Sequence, residues 1–544
     1  MGKREAHLSQ IINWLFSGAR VHNEDDGVWE HCEFLWIDGS LFYRAFNWAK
    51  TGTTWRDYAN AVCAALRETL HRCPRLRVVV YSIDKYGHPT RSALPKEPTQ
   101  AHRYEGCQPV PAASRVFQLD ESCVGISSTD TFGDMRARMA FNAMISSALM
   151  DTLRTLTHDE AWPIELAILD GAVSVVDVPR MEDSDYEVHE SDPPRGKPMN
   201  PDADVFRVYR PGVAVFGTSS LAPTPEQRWC CHSEGDIALA YWLPQFAHLN
   251  SVVHSCDVDL QQVSLQVVRR FADAGMRPDQ LPRMHLFKKV GSLQHTFDLK
   301  RYFQLVCSIV QPLLAPDDPS HPMDVWAALT AVSGNDFCAP WLCSEKCRLG
   351  EKDNDGIRLE AVWTAFVTQA HRLGPFFLPA TQADTHAPGS VLWSSFRLPA
   401  YAYPMEMNVA AWRSLMDEAL ALQQQRTDLR VAGNVGLIMH KPYVAAQVRR
   451  MSWALSYYAN AALLGDQMPR GTECDAKGRP LHGWSSDPLG NTIMSSRVDA
   501  DVDTVCGVSA RAAPTAPPSP TAEQRAARDD PVGHFDRLCA AMDE

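Results

Sequence analysis

Seven acidic residues in five separated blocks of the 544-residue chain could together hold a divalent cation. Several of them follow apolar runs that are typical of buried strands, where a carboxylate is costly to desolvate unless it is paired. Carboxylates that converged at one place would repel one another unless a cation lay between them. The seven are Asp38, Asp84, Glu234, Asp236, Asp257, Asp259 and Asp336.

Ligands that are all carboxylate oxygens favour a hard cation such as Mg²⁺ or Mn²⁺. Two such ions about 4 Å apart can activate a water molecule and stabilise the leaving oxygen of a phosphodiester. Taken one at a time, an Asp at a strand end is more often a cap or part of a turn. The order and context of all seven acids therefore carry the prediction of a metal-dependent phosphodiester hydrolase.

The apolar patterns predict the elements that would position these acids. The first three elements form a βαβ unit, which implies a parallel sheet. They are a strand over 34–37, a helix over 55–72 and a strand over 77–83. Ligands bind at the carboxyl ends of parallel strands, and Asp38, Asp84 and Asp257 each follow such an end. Further strands are predicted over 164–170, 173–178, 206–217, 251–257 and 285–291, and helices over 136–156, 236–248, 297–314, 322–333, 357–372, 408–425 and 441–464.

The bulk composition limits the classes of protein. No run reaches the roughly 18 apolar residues of a membrane span, so we expect no membrane partner. The first 21 residues favour an amphipathic helix over a signal peptide, and 15 Cys without such a signal indicate free thiols in a reducing, intracellular compartment. The formal net charge of −13 argues against a nucleic-acid binder, although binding needs only a local basic face.

The acidic blocks resemble, in their order, the motifs of the flap endonuclease/XPG family of structure-specific 5′ nucleases, within the PIN-like superfamily. The resemblance covers roughly residues 30–340. It lies in Ile37-Asp38-Gly39-Ser40, in SIDKYGHPTRSALPKEPTQAHR after the second strand, in SEGDIALAYWL, in HSCDVDL, and in Gly334-Asn335-Asp336-Phe337-Cys338. Asp236 replaces the Glu that is usual in the third motif.

The resemblance implies an α/β, PIN-like core with a central, mostly parallel sheet, a long insertion and a helical C-terminal region. It also implies two Mg²⁺ ions, with Mn²⁺ as a possible substitute. Arg91 and Lys96 would act in catalysis as clamps on the scissile phosphate, and Tyr43 and Arg103 would contact nucleic acid. One ion would be held by Asp38, Asp84, Glu234 and Asp236, and the second by Asp257, Asp259 and, more distantly, Asp336.

The predicted organisation has five segments. Residues 1–104 and 206–340 form the nuclease core, and 105–205 form an insertion with an acidic disordered loop and a helix that suggests an arch for threading a 5′ end. Residues 341–465 are helical, and 466–544 are a largely disordered tail. The glycine-rich motif by which the family grips duplex DNA is missing after Asp336, and the tail has no recognisable sliding-clamp motif.

The predicted function is cleavage of DNA at a 5′ flap, branch or free 5′ end during replication, repair or recombination, leaving a 5′-phosphate and a 3′-hydroxyl. DNA is favoured over RNA and the nucleus over the cytoplasm, and a viral origin stays open. Two alternatives remain. One is a 5′→3′ exoribonuclease-like enzyme, and the other is a non-catalytic PIN-like scaffold that regulates RNA.

Other motifs favour ordinary structural roles. Cys338, Cys343 and Cys347 with His321 lack the spacing of a standard zinc module, and Cys230-Cys231-His232 reads as packing and loop residues. Asp170-Gly171 predicts a turn at a strand end. The basic stretch HLFKKVG over 285–291 has either a phosphate-contacting or a solvated face.

Overall fold

The structure is a computed structural model, and its description is confined to part of the chain. The described residues are 26–39, 55–84, 135–159, 162–179, 205–217, 235–255, 259–290, 293–332, 338, 359–378, 391–393, 396–398, 406–425, 441–464, 471, 474, 476–477, 481–486 and 492–494.

A mixed seven-stranded sheet forms the centre, in the order β4-β3-β2-β1-β5-β6-β7. The five inner strands run parallel, and β4 and β7 pair antiparallel at the two edges. This confirms the predicted α/β class with a mostly parallel sheet. The strands are β1 Phe34–Asp38, β2 Val78–Ser82, β3 Leu166–Pro179, β4 Val205–Phe216, β5 Ser251–His254, β6 Met284–Val290 and β7 Leu293–Asp298.

Ten α-helices lie within the described residues, and most agree closely with the predicted ranges. Short 3₁₀ turns follow at 278–280, 311–313 and 370–372. The helices are α1 Asp26–Glu30, α2 Trp55–His71, α3 Met135–His158, α4 Gly235–Gln245, α5 Asp259–Asp273, α6 Leu299–Val310, α7 Pro322–Ala331, α8 Leu359–Gln369, α9 Val409–Gln425 and α10 Lys441–Leu464.

Alternation along the strands divides the interior into two cores, because successive side chains point to opposite faces of a sheet. In β1, Leu35 and Ile37 join the core that α2 and α3 cover. Phe34 and Trp36 join the larger core on the opposite face, where α4 to α10 pack. The sheet is therefore covered on both faces, as parallel strands require.

The helix predicted over 136–156 packs on the sheet, whereas the family resemblance suggests an arch. It lies within α3, the crossover between β2 and β3, and Ile145, Leu149 and Leu153 are buried against the sheet. β3 likewise pairs with β2 in the centre of the sheet rather than in a separate insertion. The apolar spacing of this helix serves core packing.

Three further differences concern strands. The predicted strands 164–170 and 173–178 are one strand, β3, interrupted by a bulge between Asp170 and Ala172. β7 replaces the first part of the helix predicted over 297–314, which begins instead at Leu299. Strands β8 Val391–Trp393 and β9 Phe396–Leu398 form a separate two-stranded sheet.

Part of the segment predicted to be disordered is folded against α10. Strands β10 Trp484–Ser486 and β11 Thr492–Met494 pair antiparallel. The Trp484 ring is fully buried and meets the Trp453 ring edge to face at 5.3 Å. The side chain of Arg450 donates from Nε to the Gly483 carbonyl at 2.9 Å. Residues 471, 474, 476–477 and 481–482 of the predicted tail are also described, and the rest of it lies outside the described part.

Within the described residues, no helix is both long and apolar enough to cross a membrane.

We predict that Gly171→Ala destabilises the fold. Gly171 has φ of +88°, and an added Cβ would come within 2.1 Å of the Ile83 carbonyl oxygen. A residue held in this backbone region costs about 1–3 kcal/mol, so chemical denaturation should give at least that loss in the free energy of unfolding. The control is Gly212→Ala in β4, where an added Cβ meets nothing within 4 Å. An equal effect of both substitutions would contradict the assignment of the bulge.

His321 supports a prediction about acid stability. It precedes α7, and its Nδ1 accepts a hydrogen bond from the Met323 amide at 3.1 Å. Burial, and then the Arg269 cation, lower the pKa of His321 from 6.5 to about 3. The folded protein thus binds fewer protons than the unfolded chain between these pH values, and stability falls as pH drops through that window.

His321→Asn should reduce this acid loss, because Asn also caps helices but does not titrate. Denaturation curves between pH 7 and pH 4 should show a shallower fall in unfolding free energy for the variant. A fall as steep as that of the wild type would contradict the prediction.

Candidate metal centre at the carboxyl edge of the sheet

Four polar residues stand side by side across the carboxyl edge of the sheet, and we call them the polar row: Asp170, Ser82, Asp38 and Ser255. Asp170 in β3 pairs with Ser82 in β2, and Ser82 pairs with Asp38 in β1. Ser255 follows His254, the partner of Ile37, and so stands beside Asp38. The row alternates acid and hydroxyl, which sets the Cα atoms of its two carboxylates about 10 Å apart at the usual strand spacing.

Asp38 is held in place by its neighbour in this row. The residue is only 7% exposed, and the Ser255 hydroxyl donates to its Oδ2 at 2.8 Å. The following residue, Gly39, must be glycine, because a Cβ there would lie 2.5 Å from the Ser82 carbonyl oxygen. The amide of Gly39 donates to that same oxygen at 2.7 Å. The first acid of the proposed metal set is thus fixed by backbone and side chain together.

Asp84 joins the end of β2 to the start of α4. Its Oδ1 accepts a hydrogen bond from the Gly235 amide at 3.0 Å, and the Ser82 hydroxyl donates to the Gly235 carbonyl at 3.4 Å. A carboxylate is favoured at a helix N-terminus because the macrodipole is positive there. The side chain of Asn142 in α3 supports the same segment by donating to the Asp84 carbonyl at 3.4 Å.

Asp236 is brought to this edge by the same contact. It lies in the first turn of α4, directly after Gly235, and its side chain is half-buried. Because Gly235 is bound to Asp84, Asp236 is held near the carboxyl ends of β1 and β2. Three of the seven predicted ligands therefore belong to one edge of the sheet.

This edge contains the topological switch point of the sheet. From β1, the chain crosses to β2 through α2 on one face, whereas β5, on the other side of β1, leads to β6 through α5 on the opposite face. Open parallel sheets bind ligands in the crevice outside such a point. Asp38 and Ser255 stand on its two sides and are hydrogen-bonded across it.

The side chains of the remaining predicted site residues lie outside the described part of the structure. Asp259 is the first residue of α5, but its side chain is not among those described. Within the described residues, no group of three or more His, Cys, Asp and Glu side chains is arranged to hold a metal ion. The residues outside the described part are Tyr43, Arg91, Lys96, Arg103, Glu234, Asp257 and Asp336.

Asp170 is a buried acid that the sequence analysis did not assign to the site. Its side chain is fully buried, and its Oδ2 accepts a hydrogen bond from the Trp242 indole at 2.7 Å. The predicted turn at this position is wrong, since Gly171 forms a bulge within a continuous strand. The sequence signal for a site acid at Asp170 is an apolar run that ends in Asp-Gly. The run before Asp38-Gly39 ends in the same way.

Asp170 fixes the far end of the helix that carries Asp236. Trp242 lies near the end of α4, so the Asp170–Trp242 bond ties this part of the helix to β3, while Asp84 ties its first residue to β2. Two carboxylates on neighbouring strands thus clamp α4 across the carboxyl edge.

The cysteine, histidine and basic motifs outside the acidic set belong to ordinary structural elements wherever their residues are described. Cys338 is buried, and His321 uses Nδ1 to cap α7. The stretch 285–291 belongs mostly to β6, although the side chains of its lysines are not described. Cys230, Cys231, His232, Cys343 and Cys347 lie outside the described residues.

These observations define the protein as an α/β protein with an acidic carboxyl edge at the switch point of its sheet. Comparison with protein-family models gives no match, and comparison with curated proteins gives none either.

We predict that Trp242→Phe lowers the free energy of unfolding by about 1–3 kcal/mol, because it removes a donor from the buried Asp170 carboxylate. The matched control is Trp36→Phe. Trp36 is equally buried, but its indole N–H has no hydrogen-bond partner within the described part of the chain. Urea denaturation should show the larger loss for Trp242→Phe, and an equal or larger loss for Trp36→Phe would contradict the anchoring role.

Proposed function

We propose that the protein is a Mg²⁺-dependent 5′ nuclease with a PIN-like core similar to that of the flap endonuclease/XPG family. The observation that carries the proposal is the Gly235–Asp84 hydrogen bond, because it brings the third acidic motif to the second at the edge where Asp38 ends β1. These three motifs are distant in the chain, and the resemblance requires them to meet.

The proposed ligands are of a chemical type that suits the proposed ions. Asp38, Asp84 and Asp236 offer hard carboxylate oxygens, Glu234 and Asp257 adjoin described residues of the same edge in the chain, and Asp259 begins α5. Such ligands suit Mg²⁺ or Mn²⁺. When bound, two such ions supply Lewis acidity, which favours attack by water on the phosphorus and neutralises charge on the leaving oxygen.

The protein's own groups would prepare this chemistry by fixing carboxylates before the ions bind. Ser255 orients Asp38, and the Gly235 amide orients Asp84. Both bonds use one carboxylate oxygen as an acceptor, and carboxylate oxygens have further lone pairs for a cation. Such preorganisation reduces the reorganisation that metal and substrate binding would otherwise require.

The remaining proposed roles follow the family resemblance. Arg91 and Lys96 come after Asp84 in the chain and would stabilise negative charge on the scissile phosphate. Tyr43 would stack on a displaced base, and Arg103 would contact the backbone. The proposed substrate is DNA with a 5′ flap, branch or free 5′ end.

Cleavage assays test this proposal. End-labelled 5′-flap DNA, single-stranded DNA and RNA would be incubated with the protein in Mg²⁺. We expect cleavage of flap DNA that Asp38→Asn reduces by about 100-fold or more, because loss of one metal ligand removes several kcal/mol of transition-state stabilisation. Asp317→Asn, at an exposed acid between α6 and α7, is the control that should keep full activity.

The outcomes separate the alternatives. Cleavage of RNA alone would favour the exoribonuclease-like enzyme, and no metal-dependent cleavage of any substrate would overturn the enzyme proposal. The non-catalytic scaffold has one observation in its favour, since Asp38 and Asp84 already have protein donors that would make them useful as structural caps.

A further inference from the structure

A cavity of about 450 Å³ opens at the edge of the sheet opposite to the polar row. It lies at the amino ends of β5 and β6, between α1 and the first turn of α6. Its volume is within the range of small-molecule sites, which is about 300–1,000 Å³. The two edges are separated by the length of the strands, so this cavity is distinct from the candidate metal centre.

The charge of the cavity is opposite to that of the whole chain. Arg283, Lys300 and Arg301 line it, whereas Asp298 is its single carboxylate. The Asp298 side chain accepts a hydrogen bond from the Arg301 amide at 3.0 Å as the cap of α6. Within the described residues, neither Arg283 nor Lys300 forms an ion pair. A local excess of cations in a protein with a formal net charge of −13 indicates an anionic ligand.

The other lining groups narrow the class of anion. His31 and His285 add imidazoles, and Gln304 adds a side-chain amide, so the cavity offers hydrogen-bond donors from several directions. A phosphate group presents three acceptor oxygens and nearly two charges at neutral pH, which suits such a set better than a planar carboxylate does. Val28, which is half-buried, supplies apolar wall for the remainder of a ligand.

We propose that this cavity binds the phosphate group of a small phosphorylated molecule. Arg283 and Lys300 hold the phosphate oxygens, and Val28 contacts the organic part. The proposal does not depend on nuclease activity, because it uses no residue of the polar row and none of the predicted metal ligands.

Isothermal titration calorimetry on the full chain tests it, with inorganic phosphate and a 5′-mononucleotide as the two probes at constant ionic strength. We expect saturable binding of both, and at least about tenfold weaker binding by the variant Arg283→Gln/Lys300→Gln, since charge-assisted hydrogen bonds are lost. Arg277→Gln is the matched control: its side chain is exposed, pairs with Asp279 and lies outside the cavity lining.

Two further variants distinguish a loss of phosphate binding from a loss of folding. The single variant Arg283→Gln alters an exposed residue, so it should fold normally and still weaken binding. The charge-conserving Lys300→Arg should retain most of the affinity. The proposal is overturned if the wild type shows no saturable binding of either probe, or if the double variant binds as tightly as Arg277→Gln.

Discussion

A carboxylate at the end of a buried strand must find a partner, and this requirement organises the carboxyl edge of the sheet. Three of the described acids there accept a hydrogen bond from the protein: Asp38 from Ser255, Asp84 from the Gly235 amide and Asp170 from the Trp242 indole. Desolvation would otherwise make each carboxylate costly. The donors come from different elements, so satisfying the acids also joins β1 to β5 and fastens α4 across β2 and β3.

Much of the fold follows from patterns that are local in the sequence. The buried runs of β1 and β2 and the helical spacing of α2 and α3 predict a parallel α/β sheet. The placement of Asp38 and Asp84 at its carboxyl edge follows from the same patterns, because each acid ends an apolar run. Local patterns do not supply the pairing of distant segments: the meeting of Asp84 with the segment around Gly235 is expected from the family resemblance and not from these patterns.

The differences between prediction and structure have physical causes. The bulge at Gly171 keeps β3 continuous where Asp-Gly favours a turn, because the edge strand β4 pairs along both halves. The packing of α3 on the sheet does not follow from its sequence, because an amphipathic helix has the same apolar spacing whether it covers a sheet or stands apart from it. Asp170 was missed because its donor, Trp242, lies in a helix remote in the chain.

Anomalous scattering from crystals grown with Mn²⁺ would test most directly the claim that the carboxyl edge is a metal centre. The account predicts two Mn²⁺ peaks at the switch point, about 4 Å apart, with carboxylate oxygens of Asp38, Asp84 and Asp236 among the ligands, and fewer peaks in crystals of Asp38→Asn. Crystals saturated with Mn²⁺ that show no peak at this edge would contradict it.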